Sequence, residues 1–427
     1  MEEPSSKVEW RASGGVARDD GHWLIARGVK GMRFLHTSDW HLGKGLKQHD
    51  LSQAQEAALD AIIDVAIGRQ VDAFVIAGDV FDRAFPAVED VRRLNRVLTR
   101  IHEAGIAIIC TAGNHDEGAR LAAFMNLLTE KVTVVGEFNQ VGHAVVLEDE
   151  HGPVVFYPLP YLDPDAARRA LAPSPGELLE RSHEAVMAEA MGRVRSDFAE
   201  RKELDPQARA VVIAHAFVVK GEARPEESES ERNIAIGGVP SVSTGVFEGV
   251  DYVALGHIHG PRTISESKPM IRYSGSLLRY SVSEAHHEKS VTIVDIDVDG
   301  ACTVDLVAVP QPTGMARLRG EFADLISGDY EHHYDDFVEI TLTDKTIPDN
   351  YYAELSHRFT RILSATFDRR ESSSAGLSES DAQRINQMPP IDLLRTFYQQ
   401  ETDEEMTAEM ESILQNALEH AQRGEDS

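Results

Sequence analysis

The stretch VDAFVIAGDVFDR, residues 71–83, has the pattern of a buried strand that ends at a functional edge. Its apolar run, 73–77, stops at Gly78, and Asp79 follows at once. Buried parallel strands consist of such continuous apolar runs, and glycine lets the backbone turn sharply where a strand ends. Because ligand sites of α/β sheets lie at the carboxyl ends of strands, Asp79 is well placed to hold a metal ion. Taken alone, it could equally cap the following helix.

Four other apolar segments end in the same way, on histidine, aspartate or asparagine. They are RFLHTSDWH (33–41), IAIICTAGNHD (106–116), AVVIAH (210–215) and YVALGHIH (252–259). In the last segment His257 and His259 lie two residues apart, so on an extended backbone both side chains face the same way. Each of the five predicted strands therefore ends with a side chain of a type that binds metal ions. Because such strand ends form the ligand sites of α/β sheets, we expect the five to contribute to one metal site.

The chain between these strands shows helical periodicity. Helices are predicted over 52–69, with Ser52 as N-cap, and over 89–104, so that the first strands form right-handed βαβ units with their carboxyl ends at one edge. A second sheet is predicted from the strands 211–215, 252–255, 270–274 and 291–296. The acidic stretch 221–231 is predicted to be a mobile loop.

The ordered set of motifs resembles the signature of the calcineurin-like metallophosphoesterase superfamily. Its elements are SDWH (38–41), GD (78–79), GNHD (113–116), His215 and GHIH (256–259). The segments 37–46, 77–83, 250–261 and 273–291 further resemble the SbcD-type nucleases, the nuclease subunits of bacterial SbcC–SbcD complexes, which are related to the meiotic-recombination nuclease. This resemblance implies an α/β fold: a four-layer α/β/β/α metallophosphoesterase sandwich with a small α/β capping domain and C-terminal helices.

The resemblance also implies two divalent metal ions and assigns ligands to them. The first ion would be held by Asp39, His41, Asp79 and His259, and the second by Asp79 (shared), Asn114, His215 and His257. A mixture of imidazole, carboxylate and amide ligands without thiolate favours manganese, with zinc, iron and magnesium as alternatives.

Other residues near the motifs receive roles from the same resemblance. His115 is implied to be the general acid, and Asp116 either orients His115 or caps a helix that begins at 118. Asp82 stands where archaeal and eukaryotic relatives carry a histidine, which favours the bacterial branch. Basic residues that could contact DNA phosphates, or could simply be solvated, are Lys44, Lys47, Arg83 and Arg279.

The composition restricts the class of protein. The net charge of −29 over 427 residues argues against tight autonomous binding of nucleic acid, unless metal ions neutralise the carboxylates or a partner supplies basic surface. The two cysteines, Cys110 and Cys302, form no disulfide framework or zinc motif. The polar N-terminus and the lack of an 18-residue apolar run predict a soluble, intracellular protein without a membrane segment. The resemblance implies that it works in the cytoplasm, at the nucleoid.

Composition shifts predict five regions. Residues 1–31 are expected to be a disordered extension or the product of a mis-assigned start, with Met32 as the alternative first residue. The nuclease domain is predicted over 32–310, the capping α/β domain over 311–370, and a Ser-rich linker over 371–388. Two amphipathic helices within 389–427 are predicted to bind a partner, the alternative being that they pack on the protein's own core.

The resulting functional hypothesis is a DNA nuclease subunit. It would degrade duplex ends 3′→5′ and cut single strands and hairpins, with a homodimer of the nuclease domain in a heterotetramer with an SbcC-type ATPase. A stand-alone metallophosphoesterase acting on nucleotides or small phosphodiesters is the first alternative. A catalytically inactive DNA-end scaffold is the second, but it predicts a missing ligand or a missing His115, and all of them are present.

Overall fold

The computed structural model describes most of the chain. The described residues are 31–123, 131–174, 176–221, 225–231, 241–368, 389–402, 406–408, 410–411 and 413–415. The predictions for residues 1–30, for the linker and for most of the last helix therefore lie outside the described residues. The chain divides into two compact units, one mainly Met1–Ala316 and the other built from Arg317–His332, Glu339–Arg358 and Ser364–Ser427.

Strands and helices alternate through the first half of the chain. The strands are β1 (Met32–Thr37), β2 (Ala73–Ala77), β3 (Ala107–Thr111), β4 (Val132–Val135), β5 (Val145–Asp149), β6 (Gly152–Pro158), β7 (Arg209–His215), β8 (Phe217–Val219), β9 (Ser241–Ser243), β10 (Tyr252–Gly256), β11 (Arg262–Ser265), β12 (Met270–Tyr273), β13 (Ser290–Ile296), β14 (Cys302–Ala308), β15 (Met315–Gly320), β16 (Phe337–Leu342) and β17 (Arg361–Phe367). The helices are α1 (Ser52–Gly68), α2 (Val88–Glu103), α3 (Gly118–Leu121), α4 (Pro164–Ala170), α5 (His183–Leu204), α6 (Phe322–Leu325), α7 (Tyr351–Arg358) and α8 (Pro390–Thr402).

Two six-stranded sheets form the centre of the first unit. One has the order β14-β13-β1-β2-β3-β4, and the other has the order β11-β12-β10-β7-β6-β5. The strands β1 to β4 run parallel, as do β12, β10, β7 and β6. The predicted βαβ arrangement is thus confirmed, and the carboxyl ends of β1, β2 and β3 meet at one edge.

Alternation along β2 explains its continuous apolar run. Val75 packs between the two sheets with Phe156 and Tyr252 from the second sheet, whereas Phe74 and Ile76 face the helices. Helices α1 and α2 cover the outer face of the first sheet, and α5 covers that of the second. Both faces of β2 are therefore buried, and the layers are helix, sheet, sheet and helix. This confirms the predicted α/β/β/α fold class.

Two sequence-based expectations are wrong in detail. The strand predicted at 291–296 for the second sheet belongs to the first, where β13 pairs antiparallel with β1. The apolar run alone does not show which sheet it joins, because both sheets share one core. Ser52 is not an N-cap: α1 begins at Ser52, whose backbone N–H donates to the Asp50 carboxylate.

The C-terminal part contains a small sheet of order β15-β16-β17 and the helix α7 between its last two strands. The strand β16 and the helix α7 agree with the α/β content predicted for residues 311–370. Helix α8 confirms the first predicted C-terminal helix. In the part of the chain that the structure describes, every helix is too short or too polar to span a bilayer.

Candidate metal centre

Backbone hydrogen bonds hold the first two motif loops together at the edge of the first sheet. The N–H of Asp39 donates to the Gly78 carbonyl at 3.1 Å, and the N–H of His41 donates to the Asp79 carbonyl at 3.0 Å. Gly113 brings the third loop equally close, since a Cβ on it would overlap the Asp79 carboxylate. The glycine of GNHD is thus required by the close approach of two loops.

Four of the predicted ligands have backbone angles that are unusual for residues other than glycine. The φ angle is 52° at Asp39, 45° at His41, 50° at Asp79 and 106° at His257. Such conformations cost free energy and persist only where the surroundings enforce them, which is common at functional sites. The strain is concentrated at the ends of β1, β2 and β10, where it turns side chains toward one point.

Seven predicted ligands converge on that point. His41 Nε2 lies 3.1 Å from His259 Nε2 and 3.6 Å from Asp79 Oδ2. On the other side, His215 Nε2 lies 3.4 Å from the same Asp79 oxygen. The remaining predicted ligands adjoin these: Asn114 Oδ1 lies 2.9 Å from His215 Nε2, and the Asp39 carboxylate accepts the backbone N–H of His257 at 3.0 Å. Asp79 therefore lies between two groups of potential metal ligands.

The imidazoles of His215 and His259 present their Nε2 atoms to this space. His215 Nδ1 donates to the Ala77 carbonyl at 3.0 Å, and His259 Nδ1 lies 3.2 Å from the Glu284 carboxylate. Because Nδ1 is engaged in this way, Nε2 is the nitrogen that would bind a metal ion, which is how metal-binding histidines are commonly oriented.

Burial and the central carboxylates set the protonation of the cluster. Burial lowers the pKa of His41 to about 4 and that of His257 well below its ordinary value, so both imidazoles are neutral near pH 7. Burial also disfavours a charged His215, but the Asp79 carboxylate outweighs it and raises the pKa of His215 to about 9. The Asp79 carboxylate thus stabilises a positive charge at the position of His215.

The donor set fits a pair of divalent cations. His257 Nε2 is buried and has no hydrogen-bond partner among the described residues, which is costly for a polar atom unless it binds something else. The groups Asp39–His41–His259 and Asp39–Asp79–His215 each bring three potential ligand atoms within 4.8 Å of one another. Imidazole nitrogens and carboxylate oxygens are the ligands that such cations take.

His115 lies at the rim of the cluster and is partly exposed. Its ring Nδ1 donates to the Asp82 carbonyl at 2.8 Å, its backbone N–H donates to the Asp79 carboxylate at 2.9 Å, and its ring stands 4.7 Å from that of His41. The ring is thereby fixed beside the metal ligands with Nε2 unengaged by these contacts. This position suits a proton donor to a bound ester.

Asp116 has contacts that neither sequence-based alternative describes. Its carboxylate accepts the backbone N–H groups of Val80 at 3.1 Å, Phe81 at 2.9 Å and Gly113 at 2.9 Å. Helix α3 has Glu117 at its N-cap position and no side-chain cap. Asp116 therefore ties the GNHD loop to the loop after β2.

The four basic residues predicted near DNA differ in their surroundings. Lys44 Nζ lies 3.0 Å from the Asp82 carboxylate, which also faces His41 Nδ1 at 3.5 Å. Arg279 donates twice to the His287 carbonyl, at 3.2 and 3.0 Å. Lys47 and Arg83 are exposed. Lys44 therefore lies next to the metal centre, whereas the Arg279 side chain is bound to the backbone at His287.

Sequence reasoning missed the groups that support His259. Glu284 and Lys289 form a fully buried ion pair with 2.5 Å between Oε2 and Nζ, and Lys289 also donates to the His259 carbonyl at 2.9 Å. Both lie in the segment 273–291 that carried the family resemblance, but an acid and a base five residues apart gave no sign of burial. Their contacts hold the ring and the backbone of His259 in place.

The acidic loop is also different from its prediction. Its described part includes Ser230, whose hydroxyl lies 2.6 Å from His259 Nδ1, and Glu231, whose carboxylate accepts the His259 N–H at 2.6 Å. Burial raises the pKa of Glu231 to about 8. A stretch that reads as solvated because of its charge thus contacts a predicted metal ligand.

Comparison with known families agrees with this site. Residues 32–261, more than half of the chain, match the family model described as calcineurin-like phosphoesterase, so the chain belongs to this family and is a phosphoester hydrolase. Residues 311–402 match a second model, the SbcD C-terminal domain, described as type 5 capsule protein repressor C-terminal domain. Together the two matches support an SbcD-like chain.

Solved structures with similarity to the chain are distant. A dimetal phosphatase from Danio rerio is 10% identical, with a TM-score of 0.40 over 66% of this chain and 98% of that one. A β-glucosidase from Thermotoga maritima is 10% identical, with a TM-score of 0.21 over 80% of this chain and 88% of that one. These values are too low to add to the family assignment.

Proposed function

We propose that this chain is the metal-dependent nuclease subunit of a DNA-processing complex. It acts as a 3′→5′ exonuclease on duplex ends and as an endonuclease on single strands and hairpins. The observation that carries the proposal is the buried cluster around Asp79, with His115 beside it, in a chain whose C-terminal part matches the SbcD model. Work on DNA ends would take place in the cytoplasm, at the nucleoid.

The chemistry follows from the residues on either side of Asp79. Asp39, His41, Asp79 and His259 would hold one divalent cation, and Asp79, Asn114, His215 and His257 would hold the other, with manganese preferred by the ligand types. A pair of such cations lowers the pKa of an attacking water and stabilises charge on the phosphate. His115 donates a proton to the leaving oxygen from the rim.

The C-terminal segment is proposed to bind an SbcC-type ATPase. Leu393 on α8 is 39% exposed and Ile413 is 63% exposed, so apolar side chains remain available on the described part of this segment. Charged replacements at both positions should abolish co-purification with the ATPase, whereas the same change at the 68%-exposed Ile347 should not. Retained co-purification would contradict this assignment. A heterotetramer containing a nuclease-domain homodimer belongs to the same proposal.

A stand-alone phosphoesterase of small substrates is the second candidate, favoured by the net charge of −29. Turnover of bis(4-nitrophenyl) phosphate, nucleoside monophosphates and a single-stranded oligonucleotide by the purified chain with Mn²⁺ separates the two. The nuclease proposal predicts cleavage of the oligonucleotide. Hydrolysis of the small esters with an intact oligonucleotide would support the second candidate.

A further inference from the structure

A second cleft lies beside the metal centre and is not used by the mechanism above. It has a volume of about 400 Å³ and begins at Gly260, one residue after His259. The polar side chains that line it include Arg262, Arg272, His287, Glu288 and Lys289. Three basic side chains, Arg262, Arg272 and Lys289, thus line a cleft in a protein that is strongly acidic as a whole.

Arg272 is buried in this cleft, and the described residues offer it no counter-ion. Its side chain spans the two sheets, and its Nε and Nη1 donate to the hydroxyls of Thr292 at 3.1 Å and Thr263 at 2.7 Å. The residue is 5% exposed, and no carboxylate among the described residues comes within ion-pair distance of it. A buried charge is costly unless it is paired, so an anion in the cleft would relieve this cost.

Arg262 and His287 leave a gap that an anion could occupy. A Cβ placed on Gly260 would lie 3.0 Å from Arg262 Nη2 and 3.3 Å from His287 Nε2, so both nitrogens adjoin the same small space. The backbone of Arg262 pairs with that of Tyr273 in the sheet, but its side chain forms no hydrogen bond or ion pair with the described residues. The glycine thus keeps open a space bordered by two potential donors.

The remaining charges of the cleft leave an excess of positive charge. Glu284 neutralises Lys289, and Glu288 is an exposed residue of the lining. The lining therefore holds one carboxylate and two guanidinium groups that form no ion pair with the described residues. Guanidinium groups recognise phosphate through paired, charge-assisted hydrogen bonds. A phosphate group matches both the charge and the donors.

We propose that this cleft is a phosphate subsite that binds a backbone phosphodiester of the nucleic-acid strand beyond the scissile bond. The proposal rests on the nuclease function and identifies where the substrate strand leaves the metal centre. It assigns strand binding to Arg262 and Arg272, neither of which is among the four basic residues predicted from the sequence.

Equilibrium binding of a fluorescent single-stranded oligonucleotide over a salt series tests the subsite. The variant Arg262→Gln should weaken binding three- to tenfold and reduce the slope of log K against log salt by about 0.7, the value for one lost single-strand phosphate contact. The control Arg92→Gln removes the same charge from a residue that is 77% exposed on α2 and should leave both quantities unchanged. Equal effects of the two variants would overturn the proposal.

Inorganic phosphate added to metal-free protein in EDTA separates the sources of the anion. The ³¹P line should broaden saturably with the wild type and with Arg92→Gln, and less with Arg262→Gln or Arg272→Met. Loss of broadening together with unchanged oligonucleotide binding would mean that the cleft takes free phosphate only, and would overturn the nucleic-acid assignment. Because neither readout needs cleavage, a wild type that binds but does not cut DNA would count against the nuclease function and not against the subsite.

Discussion

The Nε2 atoms of His41 and His259 face each other at 3.1 Å although 218 positions separate the two residues in the chain. His41 follows β1 in the first sheet, and His259 follows β10 in the second. The metal centre is therefore assembled from both sheets, and its geometry depends on their packing through residues such as Phe34 and Tyr252.

Replacement of the Asp79 carboxylate should weaken metal binding by both groups of ligands. The variant Asp79→Asn removes the negative charge that faces His41 and His215. We expect Mn²⁺ affinity to fall by more than the 10- to 100-fold that is typical of residues around a metal site. Titration calorimetry with Mn²⁺ measures this change. An unchanged affinity and stoichiometry would rule out Asp79 as the shared ligand.

Replacement of His115 should separate chemistry from metal binding. The variant His115→Ala should lower the rate of phosphodiester cleavage by about 10²- to 10⁴-fold, the usual contribution of a positioned acid or base, while Mn²⁺ affinity stays within about threefold. His143→Ala, at an exposed histidine, serves as the control. A parallel loss of metal affinity in His115→Ala would show that the residue is a ligand instead.

The buried pair behind His259 should support both stability and metal binding. Glu284→Leu leaves Lys289 charged and unpaired, so the free energy of unfolding should fall by about 3 kcal/mol. The double variant Glu284→Leu/Lys289→Met removes both charges and should recover stability in urea unfolding. It still lacks the Glu284 carboxylate beside His259 Nδ1 and the Lys289 donor to the His259 carbonyl, although the Ser230 hydroxyl remains next to the ring. Mn²⁺ affinity should therefore remain about 10-fold reduced. Recovery of affinity together with stability would refute the positioning role.

An ion pair far from the metal centre should make stability depend on pH. Burial would raise the pKa of Asp149, but the hydrogen bonds from Arg209 outweigh it and hold this pKa below its ordinary value. The unfolded chain therefore binds the proton more tightly. The stabilisation is present above about pH 5 and is lost as the pH falls through the folded pKa.

The variant Asp149→Asn tests this dependence, because it leaves the buried Arg209 without its partner. It should lower the free energy of unfolding at pH 7 by about 3 kcal/mol and reduce the further loss in acid. Asp305→Asn changes an exposed pair with Arg69 and should stay within about 0.5 kcal/mol. Urea unfolding between pH 7 and pH 3 provides the measurement, and identical acid profiles for Asp149→Asn and wild type would contradict the account.

The sequence predicted the parts of the site that local patterns determine. The run at 73–77 is apolar throughout because both faces of β2 are buried, and Gly78 is followed by Asp79 because the chain must turn at the sheet edge. These constraints act within a few residues and leave a visible pattern. The two histidines after Gly256 also reach the site, but not on the extended backbone that was predicted, because β10 ends at Gly256 and His257 has a φ angle of 106°.

The features that sequence analysis missed depend on tertiary contacts. The strand β13 could have joined either sheet, since its register with β1 is set by residues more than 250 positions away. Glu231 belongs to a stretch whose composition is typical of solvated loops, yet its carboxylate meets the His259 backbone. The burial of Glu284 with Lys289 and the unpaired charge of Arg272 likewise follow from packing alone.

Cleavage of a hairpin-ended duplex with Mn²⁺, with and without an SbcC-type ATPase and ATP, tests the central proposal most directly. We predict that opening of the hairpin and degradation of the duplex require the ATPase and ATP. We also predict that the variant His115→Ala abolishes both reactions. Hydrolysis of a small phosphodiester by the wild type, combined with an intact hairpin duplex under every condition, would contradict it.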